Sequence, residues 1–489
     1  MKLVELIENL TIELQDGPLD REISGIAYDS RRVKPGDIFI CISGLKSDGH
    51  LFAGQAIENG AGAVLAERQL DTEGKATLLT TPDTRSALAL LAANYYRRPS
   101  KSMRVVAVTG TNGKTTTTHL IKAILEETGK KTAIMGTLYA QVGKMQREMQ
   151  HTTPEALEIE KFMALCREEK ADYIVMEVSS HALQLQRVAE IDFNVAVFTN
   201  LTQDHLDFHQ NMDNYRAAKL QLFQMIKAEE QNFAIINIDD PWAEEIFQAA
   251  AIPCRSYGIK KRADYQAGEL KIDLNGSSFR LQYGDKSLII NMKLIGLFSI
   301  YNALAAISFA LQEGIDPGLI QSALARVEGV PGRFEKVDCG QDFAVIVDYA
   351  HTPDGLENVL RTARELGEKR LISVFGCGGD RDRGKRPLMG EIAAKYSDFC
   401  VVTSDNPRSE APHAIIAEII PGMDKVEKSR YAIIADRREA IRHAIHLART
   451  GDLVVIAGKG HENYQLVKDQ VLEFDDRKVA AEFLRGKVK

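Results

Sequence analysis

Residues 108–118 read VTGTNGKTTTT, and the apolar run RVVAVTG at 104–110 leads straight into them. That order decides the fold: a β-branched strand, a glycine-containing turn, then the helical stretch HLIKAILEETGK. Gly110 and Gly113 let the backbone turn tightly enough for its N–H groups to face an anion. Lys114 adds a point charge, and Thr115 offers a hydroxyl to Mg2+. A helix beginning near Thr115 brings its positive dipole end to the same spot. The pattern G-x-x-x-x-G-K-[ST] would require Gly at 108, where Val stands. That departure points away from GTPases and most motor ATPases.

Composition limits what can surround this loop. A chain of 489 residues is too long for one core, so about two to four domains are expected. A net charge of −7 argues against a broad nucleic-acid surface. The six cysteines are scattered without a CxxC pair and read as reduced thiols of a cytoplasmic protein. The start, MKLVELIENLTIELQDG, carries acids within its apolar part and is not a signal peptide. No apolar run approaches the ~20 residues needed to span a bilayer, so no membrane insertion is expected.

Strand–helix alternation continues on both sides of the loop and predicts an α/β protein of three domains. A central P-loop domain with a largely parallel sheet is expected over 98–332. A smaller N-terminal α/β domain (1–97) and a C-terminal Rossmann-like α/β domain (333–489) flank it. The first junction, RRPSKS at 97–102, has no apolar periodicity and reads as a linker. The second, EGVPGRFE, is rich in turn formers. FRLQYGDKSLIINMKL reads as a hairpin turning at Gly284-Asp285. The third domain is doubly wound but lacks G-x-G-x-x-G.

In such sheets, ligands bind beyond the strand ends. YIVMEVSSHAL puts Glu177 there, and FTNLTQDHLDFH adds Asp204, His205 and His209. His205 and His209 have the spacing of a helical zinc pair but no third ligand, so an oxygen-rich Mg2+ site with Glu177 and His205 is the better reading. Four strand ends of the third domain are polar: Asp348-Tyr349 with His351, Asp380-Arg381, Asp405 to Arg408, and Gly458-Lys459 with His461 and Glu462. A turn explains Asp405, Asn406 and Pro407, but not the cation Arg408. Arg381 and Arg408 can each grip a carboxylate in a fork, and Asp405 and Glu462 can receive ammonium groups. Both signs together fit an amino acid better than a nucleotide.

GTNGKTTT closely resembles the loop of the Mur ligase family, ATP-dependent amide ligases that build the peptidoglycan stem peptide. Folylpolyglutamate synthetases share a related loop. The resemblance spans roughly residues 22–476. It implies ATP contacts at Gly110, Thr111, Asn112, Gly113, Lys114, Thr115, Thr116, Asn302, Arg333 and Asp348. It implies Mg2+ held by Thr115, Glu177, His205 and Lys219. Lys219, in NYRAAKLQLF, would carry a carbamate formed from CO2 and serve with Lys114, Glu177 and His205 in catalysis. Ser30 implies a UDP contact, and His151, Thr152, Thr153, Ser179 and Arg187 imply contacts to the muramoyl-dipeptide. His151 and Ser299 stand where the family often has Asn.

DNPR is similar to the family's diaminopimelate-recognition motif, which adds Arg381, Asp405, Asn406, Pro407, Arg408, Gly458 and Glu462 as acceptor contacts. The implied small-molecule substrates are UDP-MurNAc-L-Ala-D-Glu and meso-diaminopimelate, used by a monomer. L-Lysine or amidated diaminopimelate as acceptor, and a non-catalytic ATP-binding regulatory protein, are the alternatives.

Overall fold

The computed structural model describes residues 1–44, 47–149, 151–367, 369–427 and 429–488. Three α/β sheets follow one another along the chain. The first has five strands in the order Glu13–Asp16, Thr77–Thr80, Ala63–Ala66, Ile38–Ile40, Ile26–Ala27. Only Glu13–Asp16 runs antiparallel to its neighbour.

The central sheet has eleven strands. Its middle is parallel, with Arg104–Thr109 between Tyr173–Glu177 and Val195–Phe198. Every residue of Val105–Thr109 is buried, as expected of a strand covered on both faces. The helix Lys114–Glu127 follows, and its Leu120, Ile121, Ile124 and Leu125 recur at helical spacing. They pack against Val106 and Val108 and against Leu304 and Ile307 of the helix Leu297–Gln312. Each such side chain contributes about 1.5–3 kcal/mol on burial. This packing holds the loop between strand and helix rigidly.

Both edges of that sheet turn antiparallel. The hairpin Gly276–Tyr283 with Lys286–Met292 matches the sequence reading. A second edge hairpin, Ala140–Val142 with Met145–Arg147, does not appear in that reading, because its outer strand is short and fully exposed. Residues 97–102 are also less loose than a linker. Pro99–Ser102 forms a 3-10 turn, Arg97 and Arg98 sit at φ 59° and 46°, and Arg98 pairs with Glu190 at 2.8 Å. Fixed contacts, not periodicity, order this segment.

The third sheet has the order Glu335–Lys336, Ala344–Asp348, Leu453–Ala457, Leu371–Phe375, Phe399–Val402, Tyr431–Ile433. All but the first strand are parallel. The ends of Ala344–Asp348, Leu453–Ala457, Leu371–Phe375 and Phe399–Val402 therefore lie along one edge, and that edge faces the loop of the central sheet. A small hairpin, Tyr464–Val467 with Gln470–Glu473, extends from it. No helix among the described residues is long and apolar enough to cross a membrane.

Candidate active site

The loop's shape follows from its glycines. Gly110 has φ 152°, and a Cβ there would lie 1.9 Å from Thr199 Oγ1. Gly113 has φ 86°, and a Cβ there would lie 2.3 Å from Asn302 Oδ1. Neither position accepts a side chain, so the backbone amides stay accessible. Asn302 is thereby packed directly on the loop, and Thr117 donates to it at 3.5 Å.

Two lysines converge behind the loop. Lys114 Nζ donates to the carbonyls of Gly110 and Thr111, both at 2.9 Å. Lys219 Nζ, on the helix Met212–Met225, donates to Gly110 O at 2.8 Å and lies 4.8 Å from the Tyr215 ring. Burial pulls the Lys114 amine below the ordinary lysine range. Burial and then the Lys114 charge pull Lys219 well below it. A lysine in that setting is held toward its neutral, nucleophilic form.

Glu177 ends its strand buried beside the loop. Its oxygens accept from Thr137 N and Thr137 Oγ1, each at 2.9 Å, and from Thr115 Oγ1 at 3.1 Å. Arg333, which stacks over the Tyr349 ring at 4.6 Å, donates to Thr115 Oγ1 at 3.0 Å. Asp348 accepts from Phe334 N at 2.6 Å and Ala350 N at 2.7 Å, so it ties the Arg333 segment to the third sheet. Burial raises its pKa.

His205 stands at φ 56° beside Asp204, and burial depresses its pKa to about 3. His209 does not join it, being bonded to Ser180 Oγ at 2.9 Å. Among the described residues, no three His, Cys, Asp or Glu side chains are gathered as a metal cluster. The polar groups near the loop are instead a mixture of hydroxyls, carboxylates, imidazoles, amines and the Arg333 guanidinium.

A cavity of about 510 Å³ is lined by Asn112 to Thr116, Glu177, His205, Asn302, Arg333 and Asp348, while Lys219 lies behind the loop and not in the cavity wall. A smaller one of about 190 Å³ is walled by Arg381, Asp405, Asn406, Arg408, Gly458 and Glu462. Asp204, His205, Tyr349 and His351 line both cavities, so the two adjoin.

Within the smaller cavity Arg408 has φ 52°, and its backbone bonds to Leu466 O at 3.0 Å and to Lys468 N at 2.7 Å. Its Nη1 donates to Gly379 O at 2.9 Å, so the guanidinium keeps donors for a ligand. Burial, then repulsion from Arg381, lowers its pKa. Pro407 packs on Gly379, where a Cβ would meet its carbonyl oxygen at 1.9 Å. Asp405 Oδ1 is buried without a hydrogen-bond partner among the described residues. Asn406 donates to Glu462 Oε2 at 2.9 Å, and burial raises the pKa of Glu462. Gly458 has φ 125° and comes within 3.2 Å of Asp405 Oδ2 at its Cβ position. Arg381 is exposed at the rim.

The remaining predicted residues spread wider. Thr152 reaches the larger cavity through Thr137, 3.0 Å away between hydroxyls. Thr153, Ser179 and Arg187 form one cluster: Thr153 Oγ1 accepts from Ser179 N at 3.0 Å, and Arg187 donates to Thr153 O at 3.0 Å. His151 is exposed beside them. Ser30 lies in the first sheet's domain, donates to Gln55 Oε1 at 2.7 Å, and lines neither cavity. Sequence reasoning missed Thr137 and Asp354. Asp354 accepts from Asn112 Nδ2 at 2.6 Å and Thr202 Oγ1 at 3.3 Å, joining the loop to the third domain. Its only sequence signal is a helix start, Thr352-Pro353-Asp354, that looks like capping alone.

Three sequence models of one family match the chain in order. They are "Mur ligase family, catalytic domain" over residues 22–96, "Mur ligase middle domain" over 108–310 and "Mur ligase, glutamate ligase domain" over 332–460. The chain belongs to the Mur ligase family.

This Mur ligase is 94% identical over 489 residues, all of both chains, to UDP-N-acetylmuramoyl-L-alanyl-D-glutamate--2,6-diaminopimelate ligase of Syntrophomonas wolfei subsp. wolfei. It is 46% identical over 484 residues, 99% of each chain, to the protein of that name from Caldanaerobacter subterraneus subsp. tengcongensis. A solved structure of a ligase of that name superposes with a TM-score of 0.69 at 34% identity, covering 100% of this chain and 99% of the other. The fold is also that of a MurF ligase from Thermotoga maritima, with a TM-score of 0.62 at 18% identity over 95% and 96% of the two chains.

Proposed function

We propose that this Mur ligase joins meso-2,6-diaminopimelate to the D-Glu γ-carboxylate of UDP-MurNAc-L-Ala-D-Glu at the expense of ATP, forming ADP and phosphate, in peptidoglycan precursor synthesis. The observation that carries this reading is the shared wall of the two cavities. A phosphate-binding loop lies on one side and a pocket with two acids and a guanidinium that keeps donors to spare on the other. An activated carboxylate formed in the first meets an amine held in the second.

In this proposal Lys114 and the loop amides from Gly110 to Thr116 hold the ATP phosphates, with Asn302 on the adenine side. Arg333, fixed by stacking on Tyr349, neutralises charge that develops on the transferred phosphoryl group. The γ-carboxylate oxygen attacks the γ-phosphorus, ADP leaves, and an acyl phosphate forms. The acceptor amine then attacks the carbonyl carbon, and phosphate leaves with the bond electrons. His351 donates from Nδ1 to Tyr349 O at 2.9 Å, which leaves Nε2 an acceptor, and burial keeps the ring neutral. It stands in the shared wall, where the amine must shed a proton.

Thr115, Glu177 and His205, with a carbamate on Lys219, would hold Mg2+. The donor set fits, since it is mostly oxygen and since a neutral buried amine reacts with CO2 where an ammonium does not. Bound there, Mg2+ would supply charge neutralisation on the phosphates. Thr152, Thr153, Ser179 and Arg187, with His151 beside them, would position the dipeptide, and Ser30 the uridine end. Arg408 would take the distal carboxylate of diaminopimelate, with Arg381 at the rim, and Asp405 and Glu462 its ammonium. All six cysteines are free thiols, which supports a cytoplasmic setting. The chain would act as a monomer whose three domains close before chemistry.

Coupled-enzyme assays of ADP formation test the proposal. ADP should appear only with both the UDP-dipeptide and an amino acid present, and diaminopimelate should outperform L-lysine. Steady ADP release without any acceptor would contradict coupled ligation.

A further inference from the structure

Behind the smaller cavity lies a lysine that the reaction as described does not use. Lys459 has no exposed surface at all. Its Nζ donates to Glu462 Oε2 at 2.9 Å and to Asn406 Oδ1 at 3.0 Å, and lies 3.7 Å from Asp405 Oδ1. The two acceptors and the Asp405 carboxylate come from two different strand ends. Asn406 in turn holds Glu462 through its Nδ2 and receives Arg408 Nη1 at its carbonyl at 3.4 Å. Four charges are thus gathered around one asparagine: Asp405, Glu462, Lys459 and Arg408. Two other buried cations lie nearby: Arg437 is matched by Asp476 through bonds of 2.8 and 2.7 Å, and Lys385, which lines this cavity, is offset by Asp204 on the same wall.

The formal charges of the four sum to zero, with two carboxylates against one ammonium and one guanidinium. An amino-acid head group, with one ammonium and one carboxylate, is also neutral. Such a guest leaves the buried set balanced and can pair with each sign. Without Lys459 the set would carry one net negative charge, which a bare ammonium would match better. Inside a protein, an unmatched charge costs far more than at the surface. Arg381, exposed at the rim, is screened by solvent and weighs less in this balance.

We propose that Lys459 sets the charge balance of the acceptor pocket, and thereby its selectivity for an acceptor whose far end is a whole amino-acid head over one that ends in a bare ammonium. It is a specificity-determining residue that acts through Asp405, Asn406 and Glu462 without touching the substrate. The inference rests on the reading of this cavity as the acceptor site.

The test is steady-state kinetics of the full-length enzyme with meso-diaminopimelate and with L-lysine, comparing wild type and Lys459→Met. The ratio of kcat/KM values for the two acceptors should fall by about 10-fold or more in the variant. The KM values for ATP and the UDP-dipeptide should stay within about twofold, which a general structural defect would not allow. An unchanged ratio, or a common rise in all three KM values, overturns the inference. Wild type measured in the same series separates the two claims. If it shows no preference for diaminopimelate, the reading of the pocket fails and the inference with it. If the preference is there and Lys459→Met keeps it, the inference alone fails. Should Lys459→Met not fold, the same substitution is made in a Glu462→Gln background, where the carboxylate of the 2.9 Å pair is gone. The ratio should fall there too on adding Lys459→Met, and no change overturns the inference.

Discussion

Lys114 and Lys219, 105 residues apart in the chain, give their ammonium hydrogens to one and the same oxygen, the carbonyl of Gly110, at 2.9 and 2.8 Å. Two cations do not share a buried acceptor at low cost. Of the two, Lys219 has its pKa displaced further, because it feels burial and the Lys114 charge together. The phosphate loop therefore faces two lysines, of which Lys219 is held further toward its neutral form.

Lys219→Ala should fold normally but, on the proposed role of its carbamate in holding Mg2+, lose about 100-fold or more in turnover. If its working form is a carbamate, millimolar-range acetate or formate should restore part of that activity. Rescue absent under saturating ATP would count against the carbamate.

Gly113→Ala should raise the KM for ATP or abolish turnover. The new Cβ meets Asn302 Oδ1 at 2.3 Å at a φ of 86°, so both clash and backbone strain of about 1–2 kcal/mol act on the loop. Nucleotide titration by calorimetry checks it, and wild-type affinity would refute the geometric argument.

Arg408→Ala should leave ATP and UDP-dipeptide KM values nearly unchanged while lowering kcat/KM for diaminopimelate by about 100-fold or more. L-Lysine, which lacks the second carboxylate, should lose much less. Equal losses for both acceptors would show that Arg408 shapes the loop and does not read the substrate.

Glu160 offers a pH test remote from the chemistry. Both its carboxylate oxygens are buried without partners among the described residues, and burial pushes its pKa from 4.5 up to about 8. The folded state thus holds a proton that the unfolded chain has lost between those values. Stability from this group is complete below pH 4.5 and declines as pH rises toward 8. Glu160→Gln should therefore gain about 1–3 kcal/mol on wild type between pH 5 and pH 8. Thermal unfolding at both pH values measures it, and a pH-independent difference would mean that the carboxyl titrates normally.

The phosphate loop was legible because all of its information is local: strand, glycines, lysine and helix lie within about 25 residues, the scale on which periodicity works. The third sheet's polar strand ends were legible for a related reason, since parallel strands place their ends together. Lys219 was not distinguishable by pattern, because a helix lysine is usually solvated and only the contact with Gly110 O buries it. Asp354 was hidden behind its own helix start. The hairpin 464–473, which pins the Arg408 backbone, alternates weakly over strands of only four residues. The edge hairpin 140–147 of the central sheet escaped for the same reason, its strands being three residues each. The first domain gave the least. Ser30 is engaged with Gln55, and nothing in its surroundings marks a ligand.

Because Asp204, His205, Tyr349 and His351 belong to both cavities, an inhibitor need not compete with ATP in the adenine pocket to gain affinity. A phosphonate or phosphinate carrying an amino-acid tail would occupy the common wall and reach Arg408 from inside. The adenine pocket is the part such a compound could leave alone, and with it the resemblance to other nucleotide-binding proteins that makes selectivity hard to achieve.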